Sequence, residues 1–158
     1  MKLIRFGAIG DEKPGLYIDK ETILDLSGFG EDYNEEFFNN DGLNRLQNWV
    51  KQNNKNLKTI NPDIRIGPPV CRPSKIICIG LNFLDHAKES GVTPPTEPII
   101  FFKSTTSICG PYDNLIIPKN AKKTDWEVEL AIVINKKAKY IHEKDTSNYI
   151  AGYLLHND

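Results

Sequence analysis

The stretch Trp126-Glu127-Val128-Glu129-Leu130-Ala131-Ile132-Val133-Ile134 decides how this chain is read. It is the most apolar segment of the sequence, and its β-branched, aliphatic character predicts a buried strand. Side chains alternate across a strand, so Glu127 and Glu129 must point to the same side. Two neighbouring carboxylates in a dry interior repel each other and lose their hydration, which costs several kcal/mol per ion as an order of magnitude. A positive partner is expected, and a divalent cation is the simplest. A half-exposed edge strand carrying two solvated acids is the competing reading. The purely carboxylate character of the pair suits a hard ion, Mg²⁺, Mn²⁺ or Ca²⁺, better than zinc.

Around that stretch the totals are those of an ordinary globular chain. It has 158 residues, with 20 Lys and Arg against 21 Asp and Glu. A near-zero balance argues against a nucleic-acid arm or a membrane-surface patch. No apolar run approaches the ~18 residues of a membrane span, and the N-terminus lacks the long apolar core of a signal peptide. Cys71, Cys78 and Cys109 are an odd, scattered set. They read as reduced thiols of a cytoplasmic protein, not as a disulfide framework.

Upstream, Leu3 to Ile9 reads as a strand, followed by a turn through Gly10 and Pro14-Gly15. Leu16–Ile18 and Thr22–Leu26 continue a meander. Asp41 is a candidate cap for a helix whose Leu43, Leu46, Trp49 and Val50 share one face. A polar stretch and Pro62, Pro68, Pro69 and Pro73 then suggest a domain boundary near residue 70. This gives a small N-terminal domain over 1–70, β-rich with one helix, and a second over 71–158. The second opens with a strand at Lys75–Ile79 and a turn through Gly80-Leu81-Asn82. A short helix over Leu84–Ser90 follows, with Asn82 as a possible cap and Gly91 as its stop. Further strands are expected at Ile99–Lys103, Leu115–Ile117, the glutamate stretch and Ile150–Leu155, with a helical turn at Asp145–Tyr149. The fold class is α+β, mainly β. The chain ends abruptly at His156-Asn157-Asp158, which suggests the front part of a longer protein.

His86 and Glu89 lie three apart on the expected helix and so share a face. A carboxylate beside an imidazole can orient it and stabilise its charged form, the arrangement of a general base. A solvated surface pair is the plainer alternative. Asn82 could bind a ligand or cap the helix. Lys103, closing an apolar strand, could meet an anionic substrate or protect a sheet edge. His142 and His156 have no evident partner and read as structural.

Several blocks together resemble the fumarylacetoacetate hydrolase family. They are Lys75 to Glu89, Phe102-Lys103-Ser104, Ile108-Cys109-Gly110-Pro111, Thr124 to Leu130, and Ala151-Gly152-Tyr153 with Asn157-Asp158. Arg5-Phe6-Gly7, Pro14-Gly15 and Asp25-Leu26-Ser27 are similar to the small leading domain of bacterial members, among them ureidoglycolate lyases and 2-hydroxyhepta-2,4-diene-1,7-dioate isomerases. The resemblance implies a mixed β-roll catalytic domain, of which 71–158 is the first part. It also implies a Mg²⁺- or Mn²⁺-dependent enzyme acting on 2-oxo or diketo acids, and a homodimer. By motif match Glu127, Glu129 and Asp158 are the metal carboxylates, His86 and Glu89 the base dyad, and Lys103 matches a lysine of the family block; Asn82 and Lys103 are the expected substrate contacts. Phe83 stands where the family commonly has tyrosine.

The expected chemistry is cleavage or rearrangement of a 2-oxo or diketo acid through an enolate, as in an acylpyruvate or fumarylacetoacetate hydrolase. Ureidoglycolate lysis and diene-dioate isomerisation or decarboxylation are alternatives within the family. A truncated, non-catalytic remnant is the alternative from another class, and a calcium site with a purely structural role is a third.

Overall fold

A computed structural model describes all residues, 1–158. The elements, in chain order, are β1 (Lys2–Phe6), β2 (Lys13–Tyr17), β3 (Ile23–Asp25), α1 (Glu35–Asn39), α2 (Gly42–Asn53), β4 (Thr59–Ile60), β5 (Ile66–Gly67), β6 (Ile76–Gly80), α3 (Leu84–Glu89), β7 (Ile99–Lys103), β8 (Val128–Ile134) and β9 (Ile150–Asn157). Single 3-10 turns lie at Ser27–Phe29, Thr105–Ser107 and, longer, Glu143–Tyr149. This is a mainly-strand α+β architecture, as the apolar spacing predicts. The chain divides into two units, Met1–Cys71 with Cys109–Asp158, and Arg72–Ile108.

In the first unit β4-β3-β2-β1-β5 form an antiparallel sheet. One cluster of buried residues joins Leu16 and Leu26 to Tyr33, Phe37 and Leu46, with Leu43, Trp49 and Val50 packed against it. The helix face expected from the sequence is therefore the face that α2 buries. A second cluster contains Ile4, Phe6, Ile23 and Ile66. α1 starts because Asn34 caps it, its side-chain oxygen accepting from the Phe37 amide at 2.9 Å. The turn into α2 is so tight that a Cβ on Gly42 would lie 2.3 Å from the Phe37 carbonyl oxygen.

Local expectations fail where tertiary contacts decide. β1 stops at Phe6 because Gly7 takes φ +120°, a value L side chains rarely adopt. Pro14 and Gly15, expected as a turn, lie inside β2, where Pro14 pairs with Arg5. The absent side chain at Gly15 makes room for Phe6 and Ile4, either of which a Cβ would crowd. Asp41 occupies the position before α2, but in a left-handed conformation, and its carboxylate accepts from Asn44 Nδ2 without capping the backbone. Asn82 does not cap α3; Phe83 holds that position and no side chain caps the helix. Gly91, at φ +65°, does stop it. Leu115–Ile117 forms no strand: it has no ladder partner, and Ile116 is 89% exposed.

The first unit also holds a charged network. Arg5, buried in the sheet, forks onto Asp32 with Nε–Oδ1 and Nη2–Oδ2 both at 2.8 Å. Arg65 forks onto Asp113 at 2.7 and 2.6 Å, and its Nη1 donates to Glu12 Oε1 at 2.9 Å. Burial alone would raise the Asp32 and Glu12 carboxyls. The bonds from Arg5 to Asp32 and from Arg65 to Glu12 outweigh it and hold both below the ordinary carboxylate range. Arg65 and the Gly110 amide do the same for Asp113. A carboxyl depressed in the folded state binds fewer protons there than in the unfolded chain, so stability rises with pH across the acid range. The contribution is fully present above the unfolded value of about 4 and disappears as pH falls through the folded values. Urea midpoints measured between pH 7 and pH 3 should therefore drop in acid, and the drop should shrink in Asp32→Asn.

Candidate functional site

The glutamate stretch forms one arm of a two-stranded antiparallel hairpin, β8–β9. The register pairs Val128 with Asn157 and Glu129 with His156, continuing to Val133 with Gly152 before an irregularity at Ile134. At the open end the Asp158 amide donates to the Glu127 carbonyl at 2.8 Å, and the Glu127 amide donates to Asn157 Oδ1 at 3.1 Å. Glu127 thus lies across from Asp158, and Glu129 across from His156. Strand alternation assigns these four residues to one face, and directly opposed Cβ atoms on such a face lie about 4.5–5.5 Å apart.

The buried-strand expectation is corrected here. β8 has only β9 beside it, so its apolar row faces outward: Val128 is 64% exposed, Leu130 60%, Ile132 50% and Ile134 58%. Glu127 is exposed, while Glu129, His156 and Asp158 are half-buried. Charge burial therefore does not by itself demand a cation. What remains is donor chemistry: three acidic residues placed on one face at one hairpin end, supplying the oxygen donors a hard divalent ion takes. Their side chains do not converge, and no three His, Cys, Asp or Glu side chains come together closely enough to hold an ion. The donor types fit such an ion.

His156 is the residue that sequence reasoning set aside. Its Nε2 is buried without a hydrogen-bond partner, opposite Glu129. Its place two residues before Asp158 puts it on the same face as that acid, but only the strand register sets it opposite Glu129.

The other candidates belong to the Arg72–Ile108 unit. α3 places His86 and Glu89 within one turn of each other, both exposed, with Ala87 as the buried anchor. Asn82 is exposed in the turn between β6 and α3, and half-buried Lys103 closes β7 opposite Ile76. Cys71, Cys78 and Cys109 form no disulfide. No helix is long and apolar enough to cross a membrane.

The pattern of the fumarylacetoacetate hydrolase C-terminal family matches residues 75–158, more than half of the chain. The chain belongs to the fumarylacetoacetate hydrolase family. A relative in Burkholderia orbicola strain MC0-3, provisionally named a hydrolase, is 44% identical across all 158 residues, which account for 55% of that protein. The chain thus spans about half the length of the curated relatives it matches. Among solved structures, maleylpyruvate hydrolase from Sphingobium sp. SYK-6, in complex with manganese(II) and pyruvate, superposes with a TM-score of 0.79 at 22% identity, covering the whole chain and 58% of that structure. Fumarylacetoacetate hydrolase from Exiguobacterium antarcticum gives 0.71 at 24% identity, covering the whole chain and 55% of the structure. At these identities the two structures show the shared fold.

Proposed function

We propose that this chain carries the metal-binding hairpin and the base helix of a divalent-metal-dependent enzyme that cleaves or rearranges a 2-oxo or diketo acid. The observation that carries the reading is the β8–β9 register, which gathers Glu127, Glu129 and Asp158 at one hairpin end in a member of this family. Residues 1–70 are read as the small leading domain and 71–158 as the opening of the catalytic domain, in a cytoplasmic homodimer.

Glu127, Glu129 and Asp158 would hold Mg²⁺ or Mn²⁺. The ion supplies Lewis acidity toward a 2-oxo carboxylate and a template that orients it. His86 moves a proton at its imidazole, to or from water or the substrate carbon, and Glu89, one turn on along α3, is the carboxylate placed to orient the ring. The Lys103 ammonium supplies positive charge for a substrate carboxylate, and the Asn82 amide can both donate and accept. The manganese and pyruvate bound by the Sphingobium relative belong to this same chemical class, a divalent ion with a small 2-oxo acid. C–C hydrolysis is the preferred outcome. Lysis, isomerisation and decarboxylation share the same early step.

Titrating Mn²⁺ while following water-proton relaxation tests the reading. The expected result is an enhancement that pyruvate alters and that Glu127→Ala and Glu129→Ala each abolish. Binding unchanged in both variants rejects the assignment. Binding that ignores pyruvate identifies a structural ion instead.

A further inference from the structure

The charged network of the first unit has an arrangement that stability alone does not require. The chain leaves this unit after Cys71 and re-enters it at Cys109. At the exit, the Cys71 amide donates to the Tyr33 carbonyl at 2.8 Å, and the Tyr33 amide donates at 2.8 Å to Asp32 Oδ1, of the carboxylate held by Arg5. At the re-entry, the Gly110 amide donates to Asp113 Oδ2 at 2.6 Å, and Asp113 is the carboxylate held by Arg65. Gly110 lies so close to the sheet that a Cβ there would sit 2.3 Å from the Ile66 carbonyl oxygen. Glu12 touches both arginines: Arg65 Nη1 at 2.9 Å and Arg5 Nη1 at 3.7 Å. Its own side chain is only 8% exposed, and it lies across Gly67, where a Cβ would meet Glu12 Cγ at 2.6 Å.

We propose that Glu12, held between Arg5 and Arg65, is a clamp that ties the exit and the re-entry of the chain into one stem. Each crossing has its own arginine–carboxylate fork. Without an anion between them the two guanidinium groups, that of Arg5 buried and that of Arg65 partly exposed, would repel and work against both forks at once. Glu12 therefore couples two crossings that are remote from each other in sequence. Both crossings lie within the first unit, so Glu12 is a positioning residue for the two segments of that unit at which the chain leaves and returns. It is not a catalytic residue, and the inference does not depend on the metal reading.

Hydrogen exchange read by mass spectrometry on the whole 158-residue chain tests this. In Glu12→Gln, peptides containing the Cys71 and Gly110 amides should both exchange faster, by roughly tenfold or more. α2, which the network does not touch, should keep its rate. Acceleration at one crossing only, at neither, or uniformly through α2 overturns the clamp. Arg65→Lys guards against a Glu12 variant that fails to fold: it keeps the positive charge beside Glu12 but cannot fork onto Asp113. It should speed exchange at Gly110 and leave α2 unchanged. An unaltered rate at Gly110 in that variant also overturns the proposal.

Discussion

Arg5→Ala is expected to lower the unfolding free energy by about 3–5 kcal/mol, the cost typical of breaking a buried ion pair from one side. Arg5 is 6% exposed and forks onto Asp32, and it is the nearer neutralising charge for that carboxylate. Its removal leaves Asp32 part-buried without its guanidinium partner, and takes one of two cations away from Glu12. The penalty is thus mostly the desolvation of acids left behind, and only secondarily a lost attraction. Urea unfolding followed by tryptophan fluorescence measures it. The double variant Arg5→Met with Asp32→Leu should recover much of the loss, because an apolar pair of similar volume leaves no orphaned charge. A single-variant loss below about 1 kcal/mol would place the network in the class of surface pairs.

Phe37→Ala is expected to cost a comparable amount, about 3–5 kcal/mol. Phe37 is 1% exposed and packs against the Tyr33 ring at 5.3 Å and the Phe38 ring at 5.1 Å, with Phe29 edge-on at 6.3 Å. α1 has only five residues and cannot hold its shape through its own hydrogen bonds. Phe37 is its one buried side chain, so truncation should both open a cavity and release α1 from the sheet. Calorimetry should show a lower melting temperature, and α1 amides should lose exchange protection before those of β1.

Sequence periodicity reaches some of these elements and stops at others, for definite reasons. The buried face of α2 is legible because Leu43, Leu46, Trp49 and Val50 recur at helical spacing. β6, α3, β7, β8 and β9 are each bounded by their own turn residues or set by their own apolar runs, so local chemistry nearly suffices. β4 and β5 are two residues each and exist only because β3 and β1 offer them partners. Leu115–Ile117 shows the converse, an apolar run without a partner. For β8 the period-2 pattern is legible, but which side is covered depends on neighbours in space, and the aliphatic row faces outward. The same limit hides the site. That His156 stands opposite Glu129 is a property of pairing between segments 27 residues apart in number, and the Arg65–Asp113 fork spans 48 positions. Neither separation carries a spacing signal.

The outward row on β8 has a practical consequence for handling the protein. Val128, Leu130 and Ile132 face the same side as Leu155 and Tyr153 on β9, which are also exposed, and the hairpin has two unpaired edges. A wet aliphatic stripe beside free backbone donors and acceptors is the surface on which strands from different molecules stick together. Solubility of the isolated chain will depend on this hairpin, together with the similarly exposed Ile77, Ile100 and Phe102 of the two-stranded β6–β7 pair, more than on its nearly neutral charge, and crowding it in a test tube will favour clumping through such stripes.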